Sequence, residues 1–312
     1  MIDKVFGTGG IGTGLFFKLH NNRPITREES RTGFLTDYKD YCKAHIILHY
    51  IAVLTKGVAV YAVGMVGRDE QGESLMREMR DAGIDTRFVE TTDRARTLFS
   101  VCYQYPDGTG GNITSSNSAC ALVTPARIAL CADEIDNSSL VLSVPEVPLD
   151  SRIRLLEIGK ERKAFTVSSF LAEEARDFEE AGGFLLSDLI AVNRSEAESV
   201  GGSIEAAADK ISRINPGAKL IITAGSDGSY FYENGTLSHI PCIPAEVVST
   251  AGAGDAFLGG TVAGFINGKN LRQAAEYGAV AARFAVMSEH TIARSVTAEN
   301  IENDIRGMNH GI

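Results

Sequence analysis

Cysteine is sparse in this chain of 312 residues: five are present (Cys42, Cys102, Cys120, Cys131, Cys242), scattered and odd in number. Without metal-type pairing they argue against a disulfide framework or a zinc knuckle, and reduced thiols in a cytoplasm are expected. No apolar run reaches the roughly 20 residues that a membrane-spanning helix needs. The N-terminus carries no basic segment leading into an apolar stretch, so no secretory signal is expected. Positive charge is in deficit, with 30 Lys and Arg against 40 Asp and Glu, a net charge of −10. That balance speaks against a nucleic-acid surface. It leaves anionic small molecules open, because phosphate sites are built from local donors. With 44% hydrophobic and 22% charged residues the composition is that of an ordinary soluble globular protein. A cytoplasmic enzyme with a small-molecule partner, no nucleic acid and no membrane is the expectation.

Short β-branched runs alternate with helical patterns, which points to parallel strands joined by crossover helices. Strands are expected at 58–63, 140–144, 164–167, 189–192 and 219–223. Helices are expected at 73–82 (ended by Gly83), 152 to about 160, 204–214 (stopped by Asn215-Pro216-Gly217), 256–267 and 271–287. Residues 230–233 and 236–239 read as a hairpin across Asn234-Gly235. Gly259, Gly260, Gly264 and the alanines of the last helix should let neighbouring elements approach closely. Two stretches break the alternation. Residues 15–44 mix charged and polar side chains without a period. Residues 96–119 alternate like a strand (Phe99, Val101, Tyr103, Tyr105), then run through a Gly, Asn, Thr and Ser cluster.

The densest chemistry lies at Thr250-Ala251-Gly252-Ala253-Gly254-Asp255-Ala256-Phe257, followed at once by an apolar helical pattern of Phe257, Leu258, Val262, Phe265 and Ile266. Such a stretch can wrap backbone N–H groups around an anion, and the helix adds its unsatisfied first-turn donors and positive dipole end. A carboxylate beside that anion site makes sense if it takes a proton from a hydroxyl attacking phosphorus. The same residues also read as a tight turn in which Asp255 caps the helix, and taken alone they leave the two readings even.

Residues Val248 to Phe257 resemble the C-terminal signature of the ribokinase-like (phosphofructokinase B-type) carbohydrate kinases. Three further stretches fall in that family's order. Ala62-Val63-Gly64-Met65-Val66-Gly67-Arg68-Asp69-Glu70-Gln71-Gly72 resembles its N-terminal strand, glycine turn and helix. The segment from Ser187 to Ala197 resembles its Asn-x-x-Glu stretch, and that from Ile221 to Tyr230 its nucleotide-side strand and loop. The similarity runs from about residue 58 to residue 287. It implies a ribokinase-like α/β fold over 1–312, with a central, mostly parallel sheet flanked by helices and a small β lid formed by the insertions at approximately 15–44 and 96–119. It implies ATP and Mg²⁺, with Asp255 as base and the amides of Gly252, Ala253 and Gly254 as an anion hole. By the same resemblance Asn193 and Glu196 help hold Mg²⁺. Thr223 and Gly225, with Ser226 and Gly228, flank the nucleotide, while Gly12, Thr13 and Asn112 face the acceptor. Asn193 and Glu196 read equally as a helix-capping pair. An open lid edge could join two subunits into a dimer.

The resemblance has departures. No Asp follows the first glycine turn, Gly10-Ile11-Gly12-Thr13-Gly14, and no glycine pair precedes the second strand, where Asp40-Tyr41-Cys42-Lys43-Ala44-His45-Ile46 stands instead. Ser249 occupies a position where the family often has an acid. The phosphoryl-transfer half is thus expected intact and the acceptor half rebuilt. Phosphorylation of a hydroxyl on a sugar or sugar-like molecule is the expected activity; a non-catalytic nucleotide or metabolite sensor is the second reading. Gly7-Thr8-Gly9-Gly10-Ile11-Gly12 matches the dinucleotide pattern G-x-G-x-x-G, but Leu19–Arg31 is too polar for the strand that motif requires. His45 and His49 suit a helix face better than a zinc site. Tyr41, Tyr50 and Phe34 are expected to pack. Arg27 and Arg31, beside Glu28 and Glu29, are expected to be solvated, unless a lid turns them toward an acidic substrate.

Overall fold

Apolar residues on the central strands face alternately up and down, yet both sets are buried, so each strand must be covered on two sides. The computed structural model describes residues 1–310. Seven strands run parallel: β1 (Lys4–Thr8), β4 (Ala59–Gly67), β5 (Ile84–Thr92), β8 (Ser139–Ser143), β9 (Phe165–Ser168), β10 (Leu189–Asn193) and β11 (Lys219–Thr223). The antiparallel hairpin β12 (Ser229–Glu233) and β13 (Thr236–Ile240) extends one edge, giving the order β13-β12-β11-β10-β9-β8-β1-β4-β5. On one face Val5, Leu140, Leu142, Leu189 and Ile221 pack under α1 (Lys43–Leu54), α2 (Glu70–Asp81), α8 (Ala253–Ile266), α9 (Leu271–Val286) and α10 (Ala298–His310). On the other, Phe6, Val141, Ile190, Leu220 and Ile222 meet α3 (Pro125–Ile128), α4 (Leu149–Glu161), α5 (Ala175–Glu180), α6 (Arg194–Gly201) and α7 (Ile204–Ile214). No helix among the described residues is long and apolar enough to cross a membrane.

The glycines of α8 do what their positions suggest, chiefly toward other helices. A Cβ on Gly259 would lie 2.7 Å from Cβ of Tyr50 in α1, and one on Gly260 would lie 2.6 Å from Cβ of Ala281 in α9. This close three-helix contact fixes where α8 begins, and hence where its first turn points.

Element boundaries shift from the sequence reading for local reasons. The strand expected at 58–63 continues to Gly67, because Gly64 to Gly67 keep pairing with Val89 to Thr92. The helix expected from 73 starts at Glu70, where Asp69 accepts a hydrogen bond from the Gly72 amide. α8 begins at Ala253, three residues earlier than expected, with Gly252 as its N-cap. The glycine run before residue 12 opens into a strand, β2 (Gly12–Leu19), with no helix N-terminus there to receive a dinucleotide.

Two stretches without helical periodicity form a separate four-stranded sheet. The order is β3-β2-β6-β7, with β3 (Gly33–Tyr41) antiparallel to β2, β6 (Leu98–Gln104) parallel to β2, and β7 (Gly110–Thr114) antiparallel to β6. Phe34 is 64% exposed there, against the expectation that it packs, and meets the His20 ring edge-on.

Candidate active site

Open α/β sheets bind ligands beyond the carboxyl ends of their parallel strands, and α8 starts at that edge. Gly252 takes φ +75° at its N-cap, and a side chain there would strike the Thr291 carbonyl oxygen at 2.6 Å. The next turn is open: a Cβ on Gly254 would meet nothing within 4 Å. First-turn amides have no intrahelical acceptor, so those of Gly254 and Asp255 face a space that an anion could fill. Ala253 is a correction to the sequence reading. Its N–H bonds the Thr250 carbonyl at 3.3 Å, closing the turn, and is spent on local structure.

Asp255 Oδ1 lies 3.7 Å from Lys43 Nζ, the first residue of α1. Burial pushes the Asp255 carboxyl above its usual range, and the Lys43 charge pulls it back. Asp255 in turn holds the Lys43 ammonium well above its ordinary value. Glu146 also meets Lys43, accepting a hydrogen bond from the Lys43 backbone N–H at 3.2 Å. It follows β8 with φ 80°, a conformation non-glycine residues seldom adopt. Gly10 makes the space for it, since a Cβ there would fall 1.9 Å from Glu146 Oε2. Burial raises the Glu146 carboxyl to about 7, opposed by Lys43.

Two cavities meet at this group. One, of about 720 Å³, is lined by Thr223, Gly225, Ser226, Gly228, Asn193, Gly252, Ala253, Gly254 and Asp255, with apolar walls from Ile243, Val247 and Val286. All four residues expected to flank a nucleotide therefore border one space. The second, of about 330 Å³, lies beneath the four-stranded sheet and is lined by Asp40, Lys43, Ser100, Cys102, Gln104, Asn112, Glu146 and Thr250. Lys43, Thr250, Gly252 and Asp255 line both.

Asn193 ends β10 in register with Thr223 at the end of β11, which brings both to the larger cavity. Asn193 Oδ1 accepts from the Glu196 amide at 2.9 Å, and Glu196 Oε2 accepts from the Asn193 amide at 2.7 Å. The pair is a complete capping box on α6. The structural reading of these two residues is thus realised, and Glu196 also borders a small recess shared with Lys43, Gly254 and Asp255. Burial raises the Glu196 carboxyl, and Lys43 opposes that shift. No group of three or more His, Cys, Asp or Glu that could hold a metal occurs among the described residues. A pair of oxygen donors bordering this recess nonetheless fits Mg²⁺, which keeps several waters and takes few protein ligands.

Of the residues expected to face the acceptor, Asn112 lines the smaller cavity. Gly12 and Thr13 do not, which corrects their assignment. Gly12 lies tight against β6, where a Cβ would meet the Leu98 carbonyl oxygen at 2.6 Å, and Thr13 is buried between Tyr41 and Phe99 in the sheet ladder. Lys43, Glu146 and Asp40 escaped sequence reasoning. Only Lys43 left a trace there: it is the single Lys, Arg, Asp or Glu in a mostly apolar helix, and it stands first. Arg31 is tied to Glu29 and to the Arg23 carbonyl oxygen, away from both cavities. His45 and His49 lie on α1, and burial lowers them to about 3 and about 4, so both are neutral helix-face residues.

Residues 47–298 match the family described as pfkB family carbohydrate kinase. A ribokinase of Lactococcus lactis subsp. lactis is 25% identical over 229 residues, covering 73% of each chain. An adenosine kinase of Saccharomyces cerevisiae is 27% identical over 245 residues, covering 72% of this chain and 71% of that one. Among solved structures, ribokinase II of E. coli in complex with ATP and Mg²⁺ superposes with a TM-score of 0.80 at 18% identity, covering 98% of this chain and all of that one (100%). The sheet order and flanking helices described above are accordingly the ribokinase-like fold.

Proposed function

The chain belongs to the pfkB family of carbohydrate kinases, and we propose that it transfers the γ-phosphoryl group of ATP to a hydroxyl of a sugar or sugar-like molecule. One observation carries this reading: Asp255 sits on the wall common to an apolar cavity and a polar one, at the first turn of α8, where the Gly254 and Asp255 amides have no acceptor among the described residues. The larger cavity suits a nucleotide, with Thr223, Gly225, Ser226 and Gly228 along its phosphate end; the neighbour solved with ATP and Mg²⁺ supports that choice of donor. The smaller one suits an acceptor, near the lower end of the roughly 300–1,000 Å³ typical of small-molecule sites.

Asp255 orients the acceptor hydroxyl and takes its proton as the oxygen attacks phosphorus. The Gly254 and Asp255 amides stabilise charge on the moving group; losing one such donor elsewhere costs about 2.7–4 kcal/mol. Gly252 contributes the turn that aims them, and Ala253 closes it. Lys43 favours the ionised form of Asp255 against the upward push of burial, and its charge meets the charge arriving between the cavities. Glu196 would hold Mg²⁺ through its Oε1, and Asn193 through the second lone pair of its Oδ1 or through water, and the ion would supply charge neutralisation on the phosphates. The four-stranded sheet acts as a lid that excludes water from transfer. Asp255 favours an enzyme over a passive sensor, since ligand storage has no use for a carboxylate beside phosphate.

The test is direct. The protein is incubated with ATP, Mg²⁺ and a panel of pentoses, hexoses, polyols and nucleosides, and products are read by mass spectrometry. A phosphorylated acceptor supports the reading. Tight nucleotide binding without any product across the panel defeats it.

A further inference from the structure

We propose that Asp40 selects the acceptor: it grips a second hydroxyl of an uncharged polyhydroxy molecule, and the cavity rejects acceptors that already carry phosphate or carboxylate. The inference rests on the kinase reading and adds a residue and a substrate class to it. The segment concerned, up to Lys43, precedes the family match that begins at residue 47.

Strand register builds the arrangement. Gly14 on β2 pairs with Asp40 on β3 and with Ser100 on β6, so the three residues form one row across the sheet. Gly14 must be bare: a Cβ there would lie 2.5 Å from Ser100 Oγ and 2.3 Å from the Ser100 carbonyl oxygen. Across that gap Ser100 Oγ reaches Asp40 Oδ2 at 3.2 Å, and Cys102 Sγ–H donates to the same oxygen at 2.7 Å. Asp40 is 4% exposed and lines the smaller cavity together with Asp255. Its Oδ2 is anchored, whereas no hydrogen bond reaches Oδ1 among the described residues. A buried carboxylate with one oxygen open to a cavity is held ready for a donor, and a sugar hydroxyl is such a donor.

Charge sets the class. Asp40, Glu146 and Asp255 line this cavity with one cation, Lys43, which Asp255 already engages. A phosphate or carboxylate on the acceptor would enter against three acids with no free guanidinium or ammonium among the lining residues. Hydroxyls meet the same acids as donors.

Matched pairs test this: ribose against ribose 5-phosphate, fructose against fructose 6-phosphate, and glucose against gluconate, assayed with wild type and Asp40→Asn. Expected for wild type is a kcat/KM about a hundredfold higher for the uncharged member of the best pair. Asp40→Asn should raise the acceptor KM about tenfold or more, the size of one lost hydrogen bond to a charged group. Its ATP KM should stay within about twofold, and its preference against the anionic member should shrink. Equal use of both members by wild type overturns the proposal, as does a folded Asp40→Asn enzyme with unchanged acceptor KM. Should that variant fail to fold, the wild-type pair comparison decides alone. A wild type that phosphorylates no acceptor overturns the kinase reading and this one together, whereas a working kinase that ignores acceptor charge overturns only this one.

Discussion

Lys43 Nζ and Asp255 Oδ1 stand 3.7 Å apart across the seam between two cavities, one at the start of α1 and the other in the first turn of α8. Each alters the other's protonation: the ammonium counters the upward push of burial on the carboxyl, and the carboxylate keeps the ammonium charged. The pair also explains how an acid can sit beside incoming phosphate. Asp255→Asn keeps the shape and removes the base, so kcat should fall by about 10²–10⁴-fold while calorimetry still detects ATP binding. A variant with near-normal turnover would end the assignment.

Removing the ammonium tests the electrostatic half. In Lys43→Met the burial effect on Asp255 is no longer opposed, so its pKa rises further. A base must be ionised to work, and the acid limb of the kcat/KM profile should therefore move to higher pH. The loss should be greatest at acidic pH and partly recovered at alkaline pH. A uniform drop without displacement of the limb would show that Lys43 acts only on the phosphates.

How much of this was legible beforehand follows from where the contacts lie. Strands 189–192 and 219–223 announce themselves by buried β-branched runs, and Asn193 and Thr223 come with them because each ends its strand. The glycine turn before Asp255 is equally local. Lys43 and Glu146 are not. Their meeting depends on α1 packing against α8 through Gly259 and on Glu146 adopting φ 80° into the space at Gly10. No periodicity encodes such contacts between distant segments. Asp40 was hidden by register, since only the pairing of Gly14 with both Asp40 and Ser100 turns it toward the cavity. Gly12 and Thr13 show the converse: a glycine turn near a site suggests residues that face it, yet these are packed between neighbouring strands.

Glu146 should leave a mark on stability. Its carboxyl titrates at about 7 in the folded protein against an ordinary value of 4.5, so the fold binds its proton more tightly than the unfolded chain does. The resulting stabilisation is complete below about pH 4.5 and is lost as pH rises through about 7. Glu146→Gln has no such dependence. In urea titrations the variant should gain on wild type between pH 5 and pH 8, by an amount on the order of 2–3 kcal/mol. Parallel pH curves for the two proteins would mean that Glu146 stays ionised throughout.

Asn193 and Glu196 hold two duties that substitution can separate. The capping box needs an acceptor at each position, while a Mg²⁺ role needs the Glu196 charge. Gln can still accept the Asn193 amide, so Glu196→Gln should keep stability within about 0.5 kcal/mol. Its Mg²⁺ requirement, read as the concentration giving half-maximal rate, should rise about tenfold, the effect of one lost charged oxygen contact. Asn193→Ala strips the cap and should cost about 1 kcal/mol in unfolding free energy, with a smaller change in Mg²⁺ requirement. If Glu196→Gln left the Mg²⁺ requirement untouched while Asn193→Ala destabilised as expected, the pair would be a helix cap alone, and the metal would have to be held by phosphate, water and Asp255.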